Sequence, residues 1–85
     1  MKEKLLDHRV VRYEVALGVV GALIAKCAED IGQAMRDVPQ DAAKIAELQQ
    51  RQAVLADERD HLDPRDIDAI EAIIEKYGPI ARADA

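Results

Sequence analysis

The first part of the chain carries an apolar pattern that is typical of one long helix. Apolar residues recur with alternating steps of four and three, which places them along one side of a helix for more than four heptads. The positions of this bulky seam are Leu6, Val10, Tyr13, Leu17, Val20, Ile24, Cys27, Ile31, Ala34 and Val38. The spacing predicts a helix over about residues 2–37 and an all-α fold with coiled-coil-like packing.

A second stripe with the same spacing runs beside the bulky seam and consists mostly of small residues. Its members are Val11, Glu14, Gly18, Gly21, Ala25, Ala28, Gly32 and Met35. A glycine inside a helix costs about 1 kcal/mol relative to alanine, so three glycines here need a reason. They indicate either a groove that admits another backbone closely or a break near Gly18–Gly21 that divides the helix. The groove interpretation predicts that Gly21→Leu disrupts assembly.

Two shorter helices are predicted after this segment. Val38-Pro39 disfavours further helix, so we expect a turn at about residues 37–40 and a second helix over 40–62. The apolar side of this helix consists of Ala42, Ile45, Leu48, Leu55 and Leu62, with Gln52 and Arg59 interrupting it.

The third helix is predicted over residues 64–77. Asp63 suits the N-cap and Pro64 the first helical position, while Gly78-Pro79 is expected to end the helix. Its predicted core face is Ile67, Ile70, Ile73, Ile74 and Tyr77. We therefore expect one helical domain over residues 1–78 and a frayed tail over 79–85.

The predicted lengths suggest how the helices are arranged, because the second and third together match the first. We expect the second helix to run antiparallel along the C-terminal part of the first, and the third to continue toward its N-terminal part. Opposite charges would then lie close together. The acidic residues are Asp66, Asp68, Glu71 and Glu75, and the basic residues are Lys2, Lys4, Arg9 and Arg12.

The run Val15–Ala25 contains no polar side chain. It is too short to span a membrane, which needs about 20 apolar residues. A short hairpin covers only one side of it, so we expect a homodimer, intertwined or side by side, or another protein to cover the rest. The predicted interaction surface is Val11, Val15, Gly18, Val19, Gly21, Ala22, Ala25, Ala28 and Gly32.

Composition argues against several classes of function. The net charge is −5 and Tyr13 and Tyr77 are the only aromatic residues, which disfavours nucleic-acid binding. One cysteine, Cys27, permits no intrachain disulfide, and we expect a reducing cytoplasm and a buried thiol. The sequence has no Ser or Thr, so serine and threonine nucleophiles are excluded. We expect no cofactor and assign no catalytic residue.

Glu58 and His61 form an E-x-x-H pattern on the second predicted helix. Similar pairs bind metal in di-iron helical bundles, where carboxylates from other helices complete the site. Here Glu14 or Glu29 would supply the additional carboxylate. The alternative is a solvated charged face with a histidine at a helix end, so Glu58 and His61 are candidates and no metal ligand is assigned.

The layout of a long helix, a middle helix and a short helix opening with Leu62-Asp63-Pro64 resembles the all-helical chorismate mutases. That resemblance implies an intertwined dimer in which several Arg and Lys side chains face a dicarboxylate substrate. Arg9 and Lys26 have a similar spacing to such a pair. The family's later basic residue and its cluster early in the second helix are replaced by Asp37 and the run Ala46–Gln50. The substitute candidates are Arg36 and Lys44.

The strongest patterns in the sequence describe helix packing. We therefore expect a non-enzymatic protein–protein interaction module, namely a small dimeric adaptor, regulator or inhibitor of a larger protein. The alternatives are a metal-binding bundle and a chorismate-mutase-like enzyme.

Overall fold

The chain folds into three helices and no strand over the residues that the computed structural model describes, which are 2–84 for the backbone and 8–83 for the side chains. The elements are α1 (Lys2–Arg36), α2 (Ala42–Asp60) and α3 (Ile67–Asp84). The predicted all-α class is confirmed. Helix α1 is continuous through Gly18 and Gly21, so the alternative of a break there is wrong. The side chains of Lys2, Lys4 and Leu6 lie outside the described residues.

The connection between α1 and α2 falls at residues 37–41, close to the predicted turn. Asp41 is the N-cap of α2, because its carboxylate accepts a hydrogen bond from the backbone N–H of Lys44 at 3.1 Å. Helix α2 therefore begins at Ala42 rather than at Gln40, and Pro39 lies in the turn.

The connection between α2 and α3 is longer than predicted. The Asp63 carboxylate accepts a hydrogen bond from the backbone N–H of Arg65 at 2.9 Å, which closes a local turn. Asp66 then caps α3 by accepting from the backbone N–H of Ala69 at 3.0 Å. The prediction that Asp63 caps a helix starting at Pro64 is wrong, because Asp66 performs this role and α3 begins at Ile67.

Helix α3 continues through Gly78 and Pro79 to Asp84, so the predicted end at Tyr77 is wrong, as is the predicted frayed tail for residues 79–84. Ala85 lies outside the described residues. Proline inside a helix removes one backbone hydrogen bond and typically costs about 3 kcal/mol. The residues beyond Pro79 gain burial in return, since Ala81 packs against the core one turn after Tyr77.

Helices α2 and α3 both pack on α1, in opposite directions. Gln52 of α2 donates a hydrogen bond through its Nε2 to the carbonyl oxygen of Ile24 at 3.2 Å, and Leu55 packs near Val20, so α2 runs antiparallel to α1. Helix α3 runs parallel to α1: its start is joined to α1 by an ion pair between Arg12 and Glu71 at 2.8 Å, and its later turns lie beside Val20 and beyond. Helix α3 therefore folds back along α1 instead of continuing past α2.

Two adjoining clusters form the core between the helices. The buried members of the larger cluster are Val20, Leu23, Cys27, Leu55 and Tyr77, and those of the smaller cluster are Ala16, Leu62 and Ile70. The bulky seam contributes Val20, Cys27 and Ala34 to the buried residues, whereas its members Val10 and Val38 are exposed. The bulky seam does not include the buried residues Ala16 and Leu23. These two are more deeply buried than Leu17 and Ile24, the residues that follow them.

Truncation of Leu55 should destabilise the fold. The side chain is only 2% exposed and lies where all three helices meet, so Leu55→Ala should lower the free energy of unfolding by about 2–5 kcal/mol. The matched control is Val54→Ala on the same helix, where the side chain is 45% exposed and the loss should stay below about 1 kcal/mol. Urea unfolding followed by circular dichroism measures both, and equal losses would contradict this core.

Replacement of Pro79 should stabilise the protein. Pro79→Ala restores a backbone N–H that can donate within α3, so the free energy of unfolding should rise by about 1–3 kcal/mol. Pro64→Ala is the control, because Pro64 lies in the turn before α3 and no gain is expected there. A loss of stability in Pro79→Ala during thermal unfolding would indicate that α3 ends before residue 79.

Candidate functional site

The side of α1 that faces away from α2 and α3 carries a continuous apolar seam. Its residues follow one another at steps of four, three, four and three, so they lie in one line along the helix. We call this line the outer seam; it consists of Val11, Val15, Gly18, Ala22 and Ala25. All five residues are exposed in the single chain. Helix α1 is thus apolar on the side opposite the bulky seam as well.

The outer seam is wide at one end and narrow at the other. Val11 and Val15 are 52% and 38% exposed, and the remaining three positions carry only alanine methyl groups or hydrogen. A Cβ atom built on Gly18 or on Gly21 meets nothing within 4 Å. The chain's own packing therefore does not require glycine at either position, and the surface over the narrow half is open.

The predicted interaction surface is divided by the structure. Its exposed part comprises the outer seam and Ala28, while Gly21 and Gly32 are half-buried at one edge. Val19 is also half-buried and packs against the larger core cluster. Val19 consequently contributes to the fold of the chain itself, so its substitution would not test an interaction surface cleanly.

Polar side chains border the outer seam toward the C-terminal end of α1. Lys26 pairs with Asp30 at 3.2 Å, and Arg36 donates a hydrogen bond to the side-chain oxygen of Gln33 at 3.2 Å. Glu29 is exposed one step beyond Ala25 in the same line. An apolar strip that ends in charged and amide groups has the composition of a contact surface with a polar rim.

Glu58, one of the two metal-ligand candidates, joins α2 to α3. Its Oε1 accepts a hydrogen bond from the hydroxyl of Tyr77 at 2.6 Å and lies 3.7 Å from the ammonium of Lys76. The Lys76 ammonium also lies 4.9 Å from the centre of the Tyr77 ring. Burial raises the pKa of Tyr77, and the hydrogen bond to Glu58 raises it further. This carboxylate thus holds two helices together.

His61, the other candidate, is the C-cap of α2 and is exposed. Its Nδ1 lies 2.9 Å from the backbone oxygen of Asp57 and 3.4 Å from the Asp57 carboxylate. These contacts raise the pKa of His61, with the backbone hydrogen bond as the larger cause and the carboxylate charge next. In residues 8–83, no three His, Cys, Asp or Glu side chains are grouped so that they could hold a metal ion.

The four basic residues considered for a dicarboxylate substrate do not converge within one chain. Arg9 borders a cleft with Pro64 and Arg65, whereas Lys26 lies about 25 Å further along α1. Arg36 borders a shallow depression with Lys26, and Lys44 lies in the first turn of α2. The chorismate-mutase-like arrangement is therefore not assembled by the single chain.

Comparison with known proteins gives no relative: the chain matches no protein-family model, no curated protein and no solved structure. None of the helices over the described residues is long and apolar enough to cross a membrane. The chemistry of the outer seam is therefore the basis for assigning a function.

The pH dependence of stability should reveal the contact between His61 and Asp57. A raised pKa means that the folded chain holds the His61 proton more tightly than the unfolded chain does. This stabilisation is complete below about pH 6.5 and is lost as the pH rises through the pKa of the folded state. The stability advantage of the wild type over His61→Gln should therefore be greater at pH 5.5 than at pH 8.5 in urea unfolding. An advantage that grows with pH would contradict the assigned contact.

Proposed function

We propose that this protein is a non-enzymatic interaction module that binds another protein chain through the outer seam of α1. In this role it acts as a small helical adaptor, regulator or inhibitor, and it works as a homodimer. The observation that carries the proposal is the exposure of a continuous apolar line on the one side of α1 that the chain's own helices leave uncovered.

The physical basis is the cost of leaving apolar surface in water. Exposed apolar residues are ordinary when they are scattered, but a continuous patch bordered by polar groups is typical of a binding surface. Val11 and Val15 lie one turn apart, and Gly18 and Ala22 extend the same line, with the exposed Glu14 at its edge. A helix laid along this line would remove the whole of it from water.

The residues considered for chemistry support the same assignment. Glu58 of α2 contacts Tyr77 and Lys76 of α3, and His61 faces its own helix end. Arg12 of α1 donates hydrogen bonds to both oxygens of the Glu71 carboxylate of α3 at 2.8 and 2.9 Å. These contacts have structural roles within the single chain.

Placing a charge on the outer seam should abolish assembly without unfolding the chain. Val15→Asp introduces a carboxylate whose burial against another chain would be costly, whereas the exposed position tolerates it in the free chain. We expect multi-angle light scattering at micromolar concentration to give a dimer mass for the wild type and a monomer mass for Val15→Asp, with unchanged helical circular dichroism.

The matched control is Val54→Asp, since Val54 is a similarly exposed valine on α2, away from the outer seam. It should retain the dimer mass. If Val15→Asp retains it as well, the contact lies elsewhere on the molecule and the proposal is wrong.

A further inference from the structure

The outer seam has a size gradient along its length. Its N-terminal half carries the two valines and its C-terminal half carries Ala22 and Ala25, with Gly18 between them. We infer that the outer seam is covered by a second copy of this chain, whose α1 runs antiparallel to the first. This inference rests on the proposed function and specifies the partner and its orientation.

Antiparallel pairing makes the seam complementary to itself. When two identical helices face each other in opposite directions, the valine half of one lies along the alanine half of the other. Bulky groups then meet small ones at both ends, and the distance between the helix axes stays even. In parallel pairing, Val11 would face Val11 and Gly18 would face Gly18. The helices would be held apart at one end and would leave space at the other.

Two-fold symmetry fits the position of the glycine. An antiparallel pair of identical helices is related by a two-fold axis that crosses the contact at its middle, and such a contact closes as a dimer. Gly18 is the middle residue of the outer seam, and nothing in its own chain lies within 4 Å of an added Cβ. The two backbones can therefore approach most closely where the axis passes.

The single chain exposes more surface than a globular protein of its mass. The chain exposes 6213 Å², whereas a globular protein of 9.4 kDa exposes about 5,000 Å². The excess of about 1,200 Å² is spread over an elongated molecule of 59 × 23 × 16 Å, and a second α1 laid along the outer seam would cover part of it. Since α2 and α3 lie on the far side of α1, a second α1 reaches the outer seam without meeting them.

Cross-linking of single-cysteine additions tests the orientation. Two variants are prepared, Val11→Cys and Ala25→Cys, each at an exposed end of the outer seam, and one of them carries an affinity tag. They are mixed, partly unfolded in urea, refolded together and treated with a short bis-maleimide. The unmodified chain is the control, because its Cys27 is buried.

Antiparallel pairing places position 11 of one chain near position 25 of the other, so the main covalent product should be the mixed dimer of the two variants. Each variant alone should cross-link weakly, because like positions are then about 21 Å apart along the helix axis. Mass spectrometry of the tagged and untagged products identifies the pairs.

The outcomes separate this inference from the proposed function. Strong cross-linking of Val11→Cys to itself and of Ala25→Cys to itself would show parallel pairing and overturn the inference alone. A wild-type chain that is monomeric in light scattering at every concentration tested would overturn both the inference and the homodimer of the proposed function, and the outer seam would then serve a different protein. A dimer that survives Val15→Asp would overturn both.

A substitution at the predicted axis provides a second measurement. Gly18→Leu fits the single chain, because the space above the glycine is open, but it should block close approach of two backbones. We expect at least a tenfold weaker dimer by sedimentation with unchanged helicity, while Gly18→Ala as the matched control should remain dimeric. A wild-type dimer affinity in Gly18→Leu would remove Gly18 from the contact and overturn the inferred arrangement.

Discussion

The burial of one side of α1 by α2 and α3 is the interaction on which the rest of the structure depends. Leu55 of α2 and Tyr77 of α3 meet over Val20 and Leu23 of α1, so the same few side chains hold all three helices. A chain of 85 residues has little apolar volume with which to offset the entropy lost on folding. Two directional hydrogen bonds between helices accompany this small core. One runs from Tyr77 to Glu58 and the other from Gln52 to Ile24.

Local sequence signals were sufficient to predict the helices but not the side of α1 that forms the core. Two heptad registers are possible for α1, and both place Tyr13, Val20 and Cys27 on the core side. One register adds Leu17 and Ile24, whereas the other adds Ala16 and Leu23. Because all of these neighbours are apolar, spacing alone cannot separate the registers. The outer seam was nevertheless within the predicted interaction surface, since a run without polar residues must be apolar on every side. Val19 is also part of the predicted interaction surface, but it is half-buried and packs against the larger core cluster.

The course of α3 shows where local signals compete with tertiary packing. Asp63 and Asp66 are both suitable N-caps, and only the three-dimensional path of the turn selects Asp66. Gly78 and Pro79 are a strong signal for a helix end, but burial of Ala81 beyond them favours further helix. The predicted end-to-end arrangement of α2 and α3 was wrong for the same reason, since helix lengths allow either course and packing decides between them.

The open surroundings of Gly18 have a consequence for how this sequence can vary. Folding uses one side of α1 and association is proposed for the other, so substitutions on the outer seam are nearly silent for the fold of a single chain. Any restriction on residue size that mutational scanning detects at Gly18 would therefore report on a bound partner, whereas restriction at Val20 or Leu23 reports on folding. Selection for folding and selection for association would therefore act on separate sets of positions in α1, and mutational scanning could distinguish them.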